Sequence, residues 1–508
     1  MRRWLGGLLV AALIVIAILP VAQTIVQALV GQDHVLEEFC RAVATPRVLG
    51  LFTHSLLIGV GVSLCCLAIG VPVGFLICRT DMYLRRAAQY AALLPLAIPP
   101  YIAAIAWIKV LAPQIYGPAG VVGVLSLSYL PFVSLLTVAG LTSFDRSLEE
   151  QAELAVGPWK AIGAITLPLI APFVFAGALF VFVFSVSNYG VPALLRVPTY
   201  PIEIFTHYSA FYDHRVASLM ALPLLLVTAA AVGLSYAMMR NRRYVSVSGT
   251  GQGGGRILPL GRYRGAGSAF AWLVIAVSGL IPLGVLVMAS GSALAYWVAL
   301  KASWAAIVRS LGISAVSAAG CLGLGFGLAL LIERARWQGQ RLLDVATVLP
   351  LAVPATVLGI GLIELWNRPG TSWVYAGMPI LVIGMMARFL PFSVRILASS
   401  FKQTDRHLEE AAALTGAGGP AIARRILLPL MSPGIVASAS ICFIFSMAEI
   451  DTTLLVMPAG SETLASKIYT LMHYDVGPFT VALCVMLIAL SMIPVGILGC
   501  LAATGRSR

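Results

Sequence analysis

The sequence DRHLEEAAALTGAGGPAIARRILLP, residues 405–429, is a charged and glycine-rich stretch between two long apolar runs. Its first part, His407 to Thr415, is rich in Glu, Ala and Leu, which predicts a short helix. The next five residues, 416–420, include three glycines and a proline, which predict the end of that helix and a sharp turn. We therefore expect a helix, a turn and a second helix that leads through Leu428-Pro429 into the following apolar run.

Long apolar runs recur along the whole chain. Of the 508 residues, 60% are hydrophobic and only 10% are charged, and the mean hydropathy is +0.95. This composition excludes an ordinary water-soluble globule. Because about 20 apolar residues are needed to cross a bilayer as a helix, we predict an all-α polytopic membrane protein with about twelve transmembrane helices. They are expected near residues 8–30, 54–78, 87–111, 120–142, 169–187, 216–239, 268–290, 307–332, 343–366, 373–394, 430–449 and 479–502.

The basic residues are unevenly distributed over the loops between these runs. Most of the 33 Lys and Arg residues fall on one side of the membrane if the N-terminus is placed inside, as the positive-inside rule requires. This distribution predicts a multi-pass membrane protein with both termini in the cytoplasm. The net charge of +13 is spread over these loops, so it does not indicate nucleic acid binding.

The chain repeats itself at an offset of about 255 to 261 residues. The string LPLAIP at 94–99 returns as LPLAVP at 349–354. An Asp-Arg-x-Leu-Glu-Glu string occurs at 145–150 and again at 405–410. These repeats predict two similar bundles in the same orientation.

The second copy contains the complete pattern E-A-A-x3-G-x9-I-x-L-P, from Glu410 to Pro429. This pattern resembles the EAA loop of binding-protein-dependent ABC transporter permeases, and the fused double form resembles the iron(III) transport permeases. The resemblance implies two parallel repeats of the type I ABC importer permease fold. It also implies a location in the bacterial inner (plasma) membrane, two ABC ATPase subunits in the cytoplasm, which use the ATP, and an external solute-binding protein. No cofactor is implied for this chain itself.

On this basis the chain divides into five parts. We expect a first transmembrane anchor and external loop at 1–50, permease module 1 at 51–239, a Gly/Arg-rich cytoplasmic linker at 240–267, a seventh span and external loop at 268–306, and permease module 2 at 307–502.

In the resembled family the EAA loop is the coupling helix that sits in a cleft of the ATPase subunit. The resemblance assigns this role in the second copy to Glu409, Glu410, Ala411 and Gly416. The other interpretation is a charged amphipathic loop on the inner membrane surface.

The first copy of the loop matches the pattern less closely, and two registers are possible. Anchoring on the downstream Leu-Pro places Glu149 and Glu150 at the start and Ala155 at the glycine position. Anchoring on the upstream repeat pairs Glu150 with Glu410 and moves the glycine role to Gly157. Both registers stay open from the sequence, and all four first-copy residues are candidates for ATPase coupling.

The outer end of the eleventh run carries two carboxylates, Glu449 and Asp451, in a segment that resembles a stretch common in the iron-type branch. The counterpart in the first half contains Asn188 and Tyr189. Carboxylates beside a membrane path are costly and are often functional, so these four residues are candidates for the pathway or its outer gate. The alternative is that both carboxylates lie in water at the end of the span.

The implied function is the transmembrane permease subunit of an ABC importer, with iron(III) as the expected solute. Thiamine, phosphonate or polyamine import by the same mechanism are alternatives. An ion-coupled secondary transporter also has repeated halves, but it has no ATPase for an EAA loop to engage. The chain contains no Walker A sequence and no catalytic constellation, so we predict no catalytic residue and no enzyme activity.

Two further expectations concern polar residues near the spans. The six histidines show no ligand spacing, so no metal site is predicted. Glu364 is expected to form a solvated external pair with Asn367 and Arg368, and Arg388 is expected to pair locally or to extend toward the interface.

Overall fold

A computed structural model describes residues 2–29, 35–143, 151, 154–155, 157–240, 257–335, 338–474, 476–494 and 496. The described residues form helices joined by short turns and contain no strand, apart from one isolated bridge between Thr80 and Leu258. This confirms the prediction of an all-α polytopic membrane protein.

The helices before the linker have the following bounds: α1 Arg2–Leu13, α2 Leu19–Leu29, α3 Val35–Val43, α4 Pro46–Arg79, α5 Arg85–Ala91, α6 Leu94–Ala97, α7 Pro100–Leu111, α8 Pro118–Ser143, α9 Pro158–Ala161, α10 Leu167–Val186, α11 Gly190–Leu194, α12 Tyr200–Ser209 and α13 His214–Arg240. Those after it are α14 Arg264–Ile275, α15 Ile281–Ala289, α16 Ala293–Glu333, α17 Gln340–Val348, α18 Ala355–Trp366, α19 Ser372–Tyr375, α20 Pro379–Gln403, α21 Arg406–Leu414, α22 Gly419–Ile422, α23 Leu428–Leu430, α24 Ser432–Ala448, α25 Thr453–Val456, α26 Leu464–Met472 and α27 Pro478–Ser491.

Eight helices in the described residues are long and apolar enough to cross a membrane, and the number rises to 11 when each bent helix pair is taken as one span. The shorter apolar helix α27 occupies the position of the last predicted run. The spans are therefore close in number and place to those predicted from hydropathy.

Two predicted spans are broken rather than continuous. The helices on either side of Ile98-Pro99 meet at 95°, and those on either side of Val353-Pro354 meet at 106°. Ile98 and Val353 both adopt extended backbone angles, because a following proline disfavours the helical conformation of the residue before it. The repeated LPLA(I/V)P string thus encodes the same bend in both halves.

Four π-helical turns lie at equivalent places in the two halves, at Ile14–Ile18, Ile162–Thr166, Ala276–Leu280 and Ala423–Leu427. Each turn ends two residues before a proline. A proline inside an α-helix lacks the N–H group and its ring clashes with an earlier carbonyl, and a π turn is one way to absorb that conflict. The recurrence of these turns extends the duplication to the first span of each half.

The described helices group into two compact units, and each unit contains segments from both sides of the linker. One unit comprises Cys40–Thr206 and Pro223–Ala289. Its core is built by α4, α8 and α10, and α14 packs against the cytoplasm-predicted end of α4. There Asp81 accepts a hydrogen bond from Leu260 N at 2.9 Å and forms an ion pair with Arg264 at 3.6 Å.

The other unit comprises Met1–Phe39, His207–Leu222 and Ser290–Arg508. Helices α16, α20 and α24 form its centre, and α2 packs along α18. The hydroxyl of Thr24 donates to the carbonyl oxygen of Val357 at 3.2 Å. A Cβ atom added at Gly361 would lie 1.9 Å from the carbonyl oxygen of Pro20, so the two helix backbones are in direct contact there.

This arrangement predicts that the covalent linker is dispensable for assembly. When residues 1–248 and 249–508 are coexpressed as two polypeptides, we expect the two polypeptides to copurify. The reason is that each compact unit contains helices from both polypeptides. The measurement is affinity purification through a tag on one polypeptide.

The Gly361→Leu variant should weaken this copurification, since overpacking costs about 1–3 kcal/mol. Gly323→Leu in α16 is the matched control, because an added Cβ there meets no atom within 4 Å. Equal recovery with Leu at position 361 and at position 323 would contradict the packing of α2 on α18.

Candidate functional site

The polar loop of the second half forms the predicted helix and turn. Helix α21 begins after Asp405, whose side chain accepts a hydrogen bond from His407 N at 3.0 Å. It ends at Leu414, and Gly416, just beyond the end, has a φ of 85°. Glycine adopts this left-handed conformation without the steric cost that a side chain brings, so the glycine of the motif is required by the turn itself.

The two carboxylates of α21 have different surroundings. The Glu410 side chain is 55% exposed and pairs with Arg406 and His407 of its own helix at 3.1 and 3.4 Å. The Glu409 side chain is only 18% exposed, and its carboxylate accepts from Arg334 Nε at 2.7 Å. Glu410 therefore faces outward, whereas Glu409 binds the rest of its unit.

The outward face of the loop also carries an exposed leucine in both copies. Leu414 is 89% exposed and Leu154 is 90% exposed. Leu154 follows Glu150 by four residues, as Leu414 follows Glu410. Ala411 and Gly416 are exposed on the same loop.

The first copy is described only from the end of its loop. Glu149 and Glu150 lie outside the described residues, and Ala155 is exposed. Gly157 has a φ of 81°, close to that of Gly416. Within the described part of this loop, Gly157 has the conformation that the upstream register assigns to it.

A second group of predicted residues lies where α24 ends. The Glu449 carboxylate accepts from Thr452 N at 2.8 Å, from Thr453 N at 3.0 Å and from the Thr453 hydroxyl at 2.8 Å. It also pairs with Arg388 Nη1 of α20 at 2.8 Å, and Asp451 lies 3.6 Å from Arg388 Nη2. Glu449 thus caps the start of α25 and connects it to α20.

Both carboxylates are buried. The side chains of Glu449, Asp451 and Arg388 are 3%, 8% and 17% exposed. This burial rules out the alternative in which the carboxylates lie in water at the end of the span. Buried charges persist where they are paired and hydrogen-bonded, which is the role that Arg388 and the two threonines fill.

The equivalent place in the first half is neutral. Asn188 Oδ1 accepts from Val191 N at 2.9 Å, just as Glu449 accepts from the residue three positions later. Asn188 Nδ2 donates to the Tyr129 hydroxyl at 3.2 Å. Tyr189 is buried, with its ring 4.7 Å from that of Phe205. The two halves therefore share a backbone cap but differ in charge.

One sequence-based pairing is wrong. Glu364 binds His214 Nδ1 at 3.0 Å instead of the Arg368 guanidinium, and Arg368 Nε donates to the backbone carbonyl of Glu364. Burial, together with the Glu364 carboxylate, raises the pKa of Tyr208 above its ordinary value. His214 is separated from Glu364 by 150 residues, so no local pattern could indicate this pair.

The contact between Arg334 and Glu409 was missed for the same reason, since the two residues are 75 positions apart. Among the described residues, no three His, Cys, Asp or Glu side chains lie close enough together to hold a metal ion.

The chain resembles known transport proteins along most of its length. The sequence profile of the family described as "binding-protein-dependent transport system inner membrane component" matches residues 70–244 and again 322–502. Both matches include the polar loops described above.

Individual relatives of this chain are named for the transport of different substrates. The Fe(3+)-transport system permease protein FbpB 2 of Haemophilus influenzae is 24% identical over 479 residues, 89% of this chain and 90% of that protein. The ferric transport system permease protein FbpB of Actinobacillus pleuropneumoniae is 22% identical over 489 residues, 89% of this chain and 71% of that protein. The molybdenum transport system permease protein ModB of Escherichia coli is 30% identical over 220 residues, 40% of this chain and 96% of that protein.

The buried ion pair between Arg388 and Glu449 should stabilise the folded protein. Arg388→Met leaves the buried Glu449 without its cation, which should destabilise the folded protein by about 3–5 kcal/mol. The double variant Arg388→Met/Glu449→Gln should recover part of this loss, because the glutamine keeps its acceptor for the backbone cap. The measurement is the midpoint of thermal unfolding in detergent.

Arg368→Met is the control, because its hydrogen bond is exposed and its loss should shift stability by about 0.5 kcal/mol or less. An Arg388→Met protein that unfolds at the wild-type temperature would contradict the assigned pairing.

Proposed function

Since this chain belongs to the family of binding-protein-dependent transport system inner membrane components, we propose that it forms the translocation path of an ABC importer and that its loops 145–168 and 405–429 couple this path to ATPase subunits. The permease role follows from family membership across both halves.

The outward face of each loop is the surface that we assign to the ATPase. In the second half it presents the Glu410 carboxylate and the Leu414 side chain, and in the first half it presents Leu154. An apolar side chain that is about nine-tenths exposed, at the same position of both copies, fits burial in a partner. The motif acids Glu149 and Glu150 are assigned by the repeat alone.

Two ATPase subunits, one for each loop, match this duplicated surface. The basic residues of the loops favour a cytoplasmic location for these surfaces and for both termini. The ATP is bound and hydrolysed by those partners, so the permease chain needs no cofactor and performs no catalysis.

The solute is presented by an external binding protein, which we place on loops 188–214 and 450–477. Asn188 and Tyr189 in one half and Glu449 and Asp451 in the other are the proposed outer gate. The helix breaks at these residues support this assignment, because a broken helix with internally satisfied caps can line a path within a membrane.

Ferric iron is the solute that we propose. The two relatives that align with 89% of this chain are named as iron transport permeases. The molybdenum permease aligns with only 40% of this chain. Selection of the metal then falls to the binding protein. Thiamine, phosphonate and polyamine import would use the same machinery. An ion-gradient carrier is disfavoured, because the family is coupled to ATPases.

Uptake of radiolabelled ferric citrate under iron limitation tests this solute. Cells that lack the chain should lose the ATP-dependent component of uptake, and the wild-type gene should restore it. Uptake of labelled molybdate is measured in parallel. Unchanged iron uptake together with a loss of molybdate uptake would replace iron by molybdate as the solute.

Gly416 provides a test of the coupling loop. Because its φ is 85°, a valine there should strain the turn by about 1–2 kcal/mol, whereas an asparagine tolerates this conformation better. We expect Gly416→Val to reduce ATP-driven uptake in membrane vesicles and Gly416→Asn to retain most of it. An added Cβ meets no atom within 4 Å, so the effect is conformational and membrane insertion should be intact.

Gly418→Val is the control, because Gly418 has a φ of −70°, which valine accepts. If valine at 416 and valine at 418 gave the same uptake, the left-handed turn would have no part in coupling.

A further inference from the structure

A single guanidinium group joins three elements of the second half beside the coupling loop. Arg334 directly follows α16 and its side chain is 16% exposed. Its Nε donates to the Glu409 carboxylate of α21 at 2.7 Å. Its Nη2 donates to the carbonyl oxygens of Phe401 at 3.0 Å and of Thr404 at 2.9 Å, at the end of α20.

These contacts complement both helix ends. The last carbonyl groups of a helix lack intrahelical donors and carry partial negative charge, so the guanidinium at the end of α20 satisfies them. Glu409 lies in the first turn of α21, where a negative charge is favourable. The planar fork of an arginine can serve several acceptors at fixed angles, which a lysine cannot do.

The α20 end of this connection is firmly held. The Phe401 ring is fully buried and packs with Ala329 of α16, Leu397 of α20 and Leu427. The Arg334 guanidinium lies 5.6 Å from the centre of that ring. Any force on the guanidinium therefore reaches the packed ends of α16 and α20.

Helix α21, by contrast, has no buried residue of its own. It is not fixed by an apolar core contact, so its orientation depends on polar links and on the chain at its two ends. The nearby pair of Lys402 with Glu333 at 3.4 Å does not reach α21, and its lysine is 69% exposed. Exposed pairs of this kind contribute little.

We propose that Arg334 is the positioning residue that transmits movement of α21 to the transmembrane helices α16 and α20. This inference rests on the proposed coupling function of the loop. The motif's two acids then have separate roles: Glu410 faces the ATPase, and Glu409 holds the coupling helix to the permease. Arg79 ends α4 as Arg334 follows α16, and Arg79 is 5% exposed. Its candidate acids Glu149 and Glu150 lie outside the described residues, so we restrict the role to Arg334.

The test uses the complex of the full chain with its ATPase subunits, reconstituted with the binding protein and with labelled ferric iron as the probe. Arg334→Gln should leave the ATPase subunits bound, because the outward face of α21 is unchanged. The ratio of iron transported to ATP hydrolysed should fall about tenfold, which is within the usual range of coupling between sites. Glu409→Gln keeps the carbonyl contacts of Arg334 and should give a smaller fall in the same ratio.

Arg395→Gln is the matched control. Arg395 pairs with Asp344 at 2.8 Å and so joins α20 to α17, and it donates hydrogen bonds to Asp344 and Thr347 of α17. Its loss should leave the transport-to-hydrolysis ratio at the wild-type value.

Hydrogen exchange gives a second measurement that needs no solute. In the wild-type complex, ATP with vanadate should change amide exchange in α21 and in the last turns of α16 and α20. In Arg334→Gln the change should be confined to α21.

If the wild-type complex binds no ATPase subunit, the proposed function fails. If the wild type couples and Arg334→Gln matches it in ratio and exchange, the transmission role is wrong. Loss of the ATPase subunits from a folded Arg334→Gln protein would also overturn it, since Arg334 would then be needed for docking.

Discussion

The hydrocarbon layer of a bilayer offers no partner to a backbone N–H or C=O group, so every interruption of a helix must be satisfied from within the protein. The spans of this chain are interrupted often, and several of these interruptions are satisfied by groups of the protein itself. Four prolines, Pro20, Pro168, Pro282 and Pro429, each follow a π turn. The break after α24 is capped by Glu449, the equivalent break after α10 is capped by Asn188, and the end of α20 is capped by Arg334.

The duplication shows which features this requirement fixes and which it leaves free. The bends at Pro99 and Pro354, the π turns and the left-handed glycines recur in both halves. The charge at the cap beyond α10 and α24 does not recur, because Asn188 stands where the other half has Glu449. A cap needs an acceptor three residues before the N–H group, and an amide serves as well as a carboxylate, so Asn188 and Glu449 can diverge without a change of backbone. A carboxylate needs a buried cation as well, which Arg388 supplies in the second half.

Much of the fold could be predicted from the sequence, because spans and turns are local patterns. Hydropathy located the apolar runs, and the glycines of 416–420 located the end of α21. The bend at Ile98 was missed because hydropathy averages over the proline that causes it. The pairs Arg334–Glu409 and His214–Glu364 were missed because their partners are 75 and 150 residues apart. The prediction for Glu364 failed because proximity in sequence was taken as proximity in space. The different surroundings of Glu409 and Glu410 follow from the helix face, which adjacent residues do not share.

The hydrogen bond between Thr24 and Val357 has a consequence for biosynthesis. The two residues are 333 positions apart, so the first span enters the membrane long before its packing partner exists. At translation rates of about 5–20 residues per second, the wait is roughly 20 to 70 seconds. During this interval the nascent first helix has lipid, or another protein of the insertion machinery, where α18 will later lie. Final packing of this unit is therefore a late event that largely follows membrane insertion. If translation stopped early, the first helix would stay stable in the membrane without its packing partner.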